Sequence, residues 1–208
     1  GGPQSYVTTP DGQKYRDEMR KGLKLAIDKT DNLRKKVYLI TVLTGCATTA
    51  DLPDFIRYAQ NKDLRDAALA FIGSIKGSEK EKADFVRTSD AEPILLAKII
   101  KSCNLTNCND LLVSWLSGAD AVTTAAIYDA MAAVAPADKL ALLAEAAQSA
   151  GYKPESTHAT DAYVAMLDRI CNDNKEIVEK EAKKLMKSET PAMRCAGLRL
   201  MLKAEGPK

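Results

Sequence analysis

His158 is the sole histidine of the chain and stands in the segment GYKPESTHATD. An imidazole on a binding loop suits a general base or a ligand. No cysteine or aspartate partner is visible for it, so it reads as an exposed loop residue near a helix start. Five cysteines, Cys46, Cys103, Cys108, Cys171 and Cys195, are an odd number, so not all can pair within one chain. Cys103 and Cys108 sit in SCNLTNCND. They are either a local disulfide at a turn of an exported protein or two small side chains at that turn. A zinc site needs a second ligand pair at suitable spacing, and none follows. The carboxylate pairs Asp51/Asp54 and Asp161/Asp168 would suit acid–base chemistry. With no third group converging on them, they read as helix caps and solvated faces. Neither a phosphate-binding glycine loop nor a nucleophile elbow is present in the sequence. No catalytic, cofactor-binding or metal-binding residue is therefore assigned, and no cofactor is expected.

Charge has one local excess. Residues 14–36 carry nine basic residues, Lys14, Arg16, Arg20, Lys21, Lys24, Lys29, Arg34, Lys35 and Lys36, against four acids, for a net +5. This segment is either a docking face for an acidic partner or a nucleic-acid backbone, or the polar end of a repeat array. The whole chain is only +2, which gives little steering toward nucleic acid or an anionic membrane. Aromatic residues are 5%, few for stacking on bases or sugars. No apolar run approaches the roughly 18 residues that span a bilayer. Hydrophobic residues at 46% and charged residues at 28% favour a packed core.

The elements that must position these residues are helical. Leu52, Phe55, Ile56 and Ala59 recur at helical spacing, with Asp51 placed to cap and Pro53 in the first turn. In DLRDAALAFIG, Leu64, Ala67, Ala68, Phe71 and Ile72 form an inner face that ends at Gly73. Residues 51–75 therefore predict one helical hairpin. Other copies share its register: Arg34, Arg65 and Arg194 align. Small or slender Val37, Ala68 and Gly197 follow three positions later, then Tyr38, Leu69 and Leu198, and at six positions Ile40, Phe71 and Leu200. Weaker copies place Pro93, Thr123 and Tyr163 in the arginine slot, so the marks at 34, 65, 93, 123, 163 and 194 are spaced 31, 28, 30, 40 and 31. Each copy is preceded by another candidate helix, one of them opening at Ser78-Glu79-Lys80-Glu81 with a capping-box pattern. No period-two alternation bounded by hairpin turns occurs, so no sheet is expected. Alanine and glycine let helices approach closely, and one hairpin cannot bury its apolar face alone.

The pattern NKDLRDAALAFIG resembles the second helix of a HEAT repeat, and similar units cover most of residues 11–204. The resemblance implies an all-α, right-handed α-α superhelix, a HEAT/armadillo-like solenoid of about six helical hairpins. It also implies a ladder of turn aspartates and second-helix arginines, matched by Asp63 with Arg65 and Asp31 with Arg34, while Arg194 matches without its aspartate. DNA glycosylases built on such repeats have a similar length, with aromatic residues and an aspartate around the damaged base. Here the sole tryptophan, Trp115, has the spacing of a core residue beside Leu111, Leu112 and Leu116.

The expected function is non-catalytic: a protein-binding or scaffold module recognising a protein partner, or a neighbouring domain of the same polypeptide, by shape and charge. The candidate partner contacts are Arg34, Lys35, Arg65, Asp66, Arg199 and His158, with the 151–160 insertion as a second contact region. The alternatives are an accessory helical domain of a larger, exported enzyme, or a nucleic-acid-binding protein of the glycosylase kind. The chain opens GGPQ and closes AEGPK, which read as cuts in a longer protein; a removed signal peptide would place it outside the cytoplasm. The expected organisation is an extended or disordered segment 1–10, a repeat domain 11–204 and a tail 205–208.

Overall fold

The structure, a computed structural model, describes residues 10–206. The expected extended segment and tail therefore lie mostly outside the described residues, and Pro10 already belongs to a helix. The described residues form 12 α-helices and no strand. The chain divides into two compact units, Gly1–Ala91 and Glu92–Lys208.

The first unit contains α1 (Pro10–Lys29), α2 (Leu33–Cys46), α3 (Leu52–Ala59), α4 (Lys62–Leu69) and α5 (Glu79–Thr88). Asparagines start two of them: Asn32 accepts from the Lys35 amide before α2, and Asn61 from the Asp63 amide before α4. Ser78 accepts from the Glu81 amide at α5, while the Glu81 carboxylate accepts from the Ser78 hydroxyl at 3.2 Å and from the Thr49 hydroxyl at 2.9 Å. Helices α1 and α2 pack together, α3 packs on α4, and α2 packs on α4. Ile27, Ile40, Leu43, Phe55, Leu64 and Ile72 are buried between them.

The hairpin at 51–75 forms, with one correction. Helix α4 stops at Leu69, and a short 3-10 turn covers Ile72–Ser74. The tighter turn shifts the phase, so Ile72 is buried while Phe71 is 70% exposed. In α2 and α12 Ile40 and Leu200 are buried and Tyr38 and Leu198 face solvent, whereas Leu69, aligned with those two, is buried. After α2 the chain crosses its own later course. Lys76 donates to the Ala47 carbonyl and Thr49 donates to the Lys76 carbonyl, both at 3.0 Å. Gly77, with φ of +150°, makes the crossing possible: a Cβ there would lie 2.3 Å from Thr49 Cγ2.

The second unit contains α6 (Pro93–Ser102), α7 (Asn109–Ser114), α8 (Ala121–Val134), α9 (Leu140–Ser149), α10 (Ala159–Ile170), α11 (Lys175–Met186) and α12 (Pro191–Ala204). Helix α8 packs against α6, α7 and α10. Its alanines suit that position: Ala125, Ala126, Ala130 and Ala132 are all buried, beside Ile127 and Met131. Pairs α9/α10 and α11/α12 also pack. The α11/α12 approach depends on Gly197, where a Cβ would sit 2.8 Å from the Ala182 carbonyl oxygen and 2.9 Å from Met186. Tyr163 is fully buried on α10 and donates to Glu181 on α11 at 2.5 Å. Trp115 ends the short α7 half-buried, and of its apolar neighbours Leu112 lies in the core.

Candidate functional site

Two regions, one in each unit, bring polar and apolar groups together. In the first unit, the basic segment is partly consumed by the fold itself. Asp51 is 0% exposed. Its carboxylate accepts from Arg20 Nε at 2.8 Å, a second Arg20 nitrogen at 2.9 Å and the Thr48 amide at 2.9 Å. Lys24 pairs with the same carboxylate and, at 2.9 Å, with Asp54. Arg20 and Lys24 stand one turn apart on α1, so both reach the same buried acid. Burial alone would push the Asp51 carboxyl up; the bonds from Arg20, Lys24 and the Thr48 amide outweigh it and hold it below the usual range. The same contacts raise both cations: Arg20 chiefly through its bond to Asp51, Lys24 against the opposing effect of burial.

This corrects the reading of Asp51 and Asp54. Asp51 precedes α3 but makes no side-chain cap to it; it closes a capping box with Thr48 on the short 3-10 turn Thr49–Asp51. Arg16 donates to the Cys46 carbonyl at 3.2 Å, and Lys36 to the Ile27 carbonyl at 2.9 Å. Four of the nine cations in residues 14–36 therefore serve acceptors of their own unit. Burial pushes the neighbouring Cys46 thiol up, with Arg16 and Arg20 opposing it.

What remains outward is a face built on α2 and the end of α4. Arg34, Lys35, Leu33, Tyr38 and Val42 are exposed on α2, Tyr38 to 67%. Asp66 and Phe71 are exposed at α4 and just beyond it. Arg65, also a candidate contact, is half-buried and donates to the Ala59 carbonyl at 3.0 Å, closing the turn between α3 and α4. Arg194 does the same for the α11/α12 turn, donating at 2.9 Å to the Ser188 and Glu189 carbonyls. These two aligned arginines thus fasten their own hairpins through backbone carbonyls.

In the second unit, the insertion after α9 folds into a loop with three left-handed residues, Gly151, Tyr152 and His158. His158 is the residue before α10 but, in that conformation, offers no side-chain cap. Glu155 takes over: it accepts from the Ala159 amide at 2.9 Å, the Thr157 amide at 2.8 Å and the Thr157 hydroxyl at 2.5 Å. The hydroxyl bond chiefly lowers the Glu155 carboxyl, against burial. The imidazole Nδ1 of His158 lies 3.0 Å from an Asp129 oxygen on α8. Sequence spacing hid this partner, which is 29 positions away. Beside the loop, α8 and α9 border an open cleft of about 570 Å³ lined by Tyr128, Leu142, Glu145, Glu155 and their neighbours.

The six candidate contacts are therefore split. Arg34, Lys35, Arg65 and Asp66 belong to the packed pair α2/α4 of the first unit; Arg199, exposed on α12, and His158 belong to the second. Asp168, by contrast, accepts from Lys203 at 3.1 Å as a surface ion pair. Among the described residues, no group of three or more histidine, cysteine or acidic side chains is placed to hold a metal ion. None of the described helices is long and apolar enough to cross a membrane. Comparison of the chain with family models, curated proteins and solved structures finds no match.

Proposed function

We propose that the chain is a protein-binding or scaffold module of stacked HEAT-like hairpins, without chemistry of its own. The α2 face with the end of α4 would be its principal contact surface. One observation carries this reading: large apolar side chains stand exposed in the unit that carries these cations, with Tyr38, one turn from Arg34 on α2, at 67% and Phe71, just beyond α4, at 70% exposure. Exposed aromatic residues beside arginine are the composition of binding hot spots. A purely polar repeat end has no use for them. Nucleic acid is the weaker reading, because Arg16, Arg20, Lys24 and Lys36 are turned onto acceptors of the protein itself.

The test uses the immobilised chain, source-cell lysate at low and moderate salt, and mass spectrometry. Two double variants, Tyr38→Ser with Phe71→Ser and Arg34→Glu with Lys35→Glu, change exposed side chains and leave Arg65 in its turn. A reproducible protein partner lost in both variants supports the module and its face. A captured set unchanged by either variant refutes the assignment of the face, and capture of nucleic acid alone refutes the protein-binding reading.

A further inference from the structure

The cleft in the second unit has a chemistry of its own, independent of the α2 face. It is open to solvent and about 570 Å³ in volume. Leu116, Leu142 and Ala146 supply apolar walls, Tyr128 an aromatic one, and Glu145 and Glu155 two carboxylates; no cation lines it. Glu155 is fixed by three hydrogen bonds from Thr157 and Ala159. A carboxylate offers about four lone-pair sites, so one remains for a ligand. Glu145 is exposed on α9. The Tyr128 hydroxyl is held up by burial first and by the Glu155 charge second.

We infer that this cleft seats the arginine side chain of a partner peptide. The guanidinium lies between Glu145 and Glu155 and against the Tyr128 ring, and its methylenes lie along Leu142 and Ala146. Each part of the side chain meets its complement: a planar fork of donors for carboxylates, a cation for an aromatic face, a stem for apolar walls. A lysine fits less well, since its point charge gains less from a planar ring and a fixed carboxylate. The open side of the cleft leaves room for the peptide backbone to leave.

The experiment is an amide NMR titration of the whole chain with acetyl-Gly-Arg-Gly-amide, and with the same peptide carrying neutral citrulline, at constant ionic strength. The expected result is saturable shifts confined to residues 142–150 and 155–158, with citrulline binding roughly three- to ten-fold more weakly. Glu145→Gln, an exposed change that leaves the fold intact, should weaken the arginine peptide by a similar factor and bring the two peptides together. Absence of localised shifts at millimolar peptide, equal binding of the citrulline peptide, or an unaltered affinity in Glu145→Gln each overturns the assignment.

Discussion

Replacing Asp51 with asparagine tests whether the charged cluster under α1 holds the first unit together. The carboxylate receives two bonds from Arg20, one from the Thr48 amide and a contact from Lys24, and is wholly buried. Asparagine keeps one acceptor oxygen and presents an NH2 group where the other stood. At least one donor then faces a donor. Breaking a buried pair by removing one partner costs about 3–5 kcal/mol. Arg20 and Lys24 reach solvent in part, with 13% and 26% side-chain exposure, and Lys24 retains Asp54, so the low end applies. The expected loss is about 3 kcal/mol, against a total domain stability of about 5–15 kcal/mol.

The assay is urea unfolding followed by far-ultraviolet circular dichroism at pH 7 and again between pH 5 and 2, with the denaturant slope checked for constancy. The folded Asp51 carboxyl sits below its unfolded value of about 3.9. Its contribution is therefore complete above that value and disappears as pH falls through the folded one. Wild type and Asp51→Asn should differ at pH 7 and converge in acid. A difference under about 1 kcal/mol at pH 7, or one that persists undiminished at pH 2, would refute the reasoning. The triple change Arg20→Met, Lys24→Met, Asp51→Leu removes all three charges together and should recover most of the loss.

Further changes test local features. Gly77→Ala puts a Cβ 2.3 Å from Thr49 Cγ2 at φ +150°, and should lower stability by about 2–3 kcal/mol in the same unfolding assay, with Thr49→Ser restoring part of it. Gly197→Ala forces α12 away from the Ala182 carbonyl and should cost about 1–3 kcal/mol, measured as a lower denaturation midpoint. Tyr163→Phe removes the 2.5 Å bond to Glu181 and should cost about 1.5–3 kcal/mol; a change below about 0.5 kcal/mol would show that bond to be idle. Arg169→Met strips the Ala132 and Ala135 carbonyls at the end of α8 and should cost about 1–2 kcal/mol, whereas exposed Arg199→Ala should stay within about 0.5 kcal/mol.

The helices were legible because their signals are local. Asn32, Asn61 and Ser78 cap as their residue types favour, prolines open α6 and α12, and the apolar spacing of Leu52, Phe55 and Ala59 matches the buried side of α3. Phe71 was misplaced because periodicity assumes that the helix continues, and here it stops at Leu69 and a tighter turn follows from Ile72. Asp129 and Asp51 were missed as partners because their contacts span 29 and 31 positions, beyond any local spacing rule. A weak signal for Asp51 did exist: threonine and aspartate three apart, Thr48 and Asp51, is a capping-box pattern. Arg20 and Lys24, one turn apart, form the complementary stripe on α1.

The same distinction governs how the basic residues divide between stability and binding. A cation placed where a helix ends finds carbonyls that the helix cannot satisfy, and is drawn onto them. Lys36 meets α1 at Ile27, Arg65 meets α3 at Ala59, Arg169 meets α8 at Ala132, and Lys203 meets α10 at Asp168. Such a cation is tethered to its own fold by that bond. Arg34 and Lys35 occupy the opposite situation: they stand in the first turn of α2, where the helix presents amides and repels positive charge, so the fold gains nothing from them there. The contact surface proposed above rests on this contrast: Arg34 and Lys35 stand near exposed Tyr38 without a helix end to stabilise.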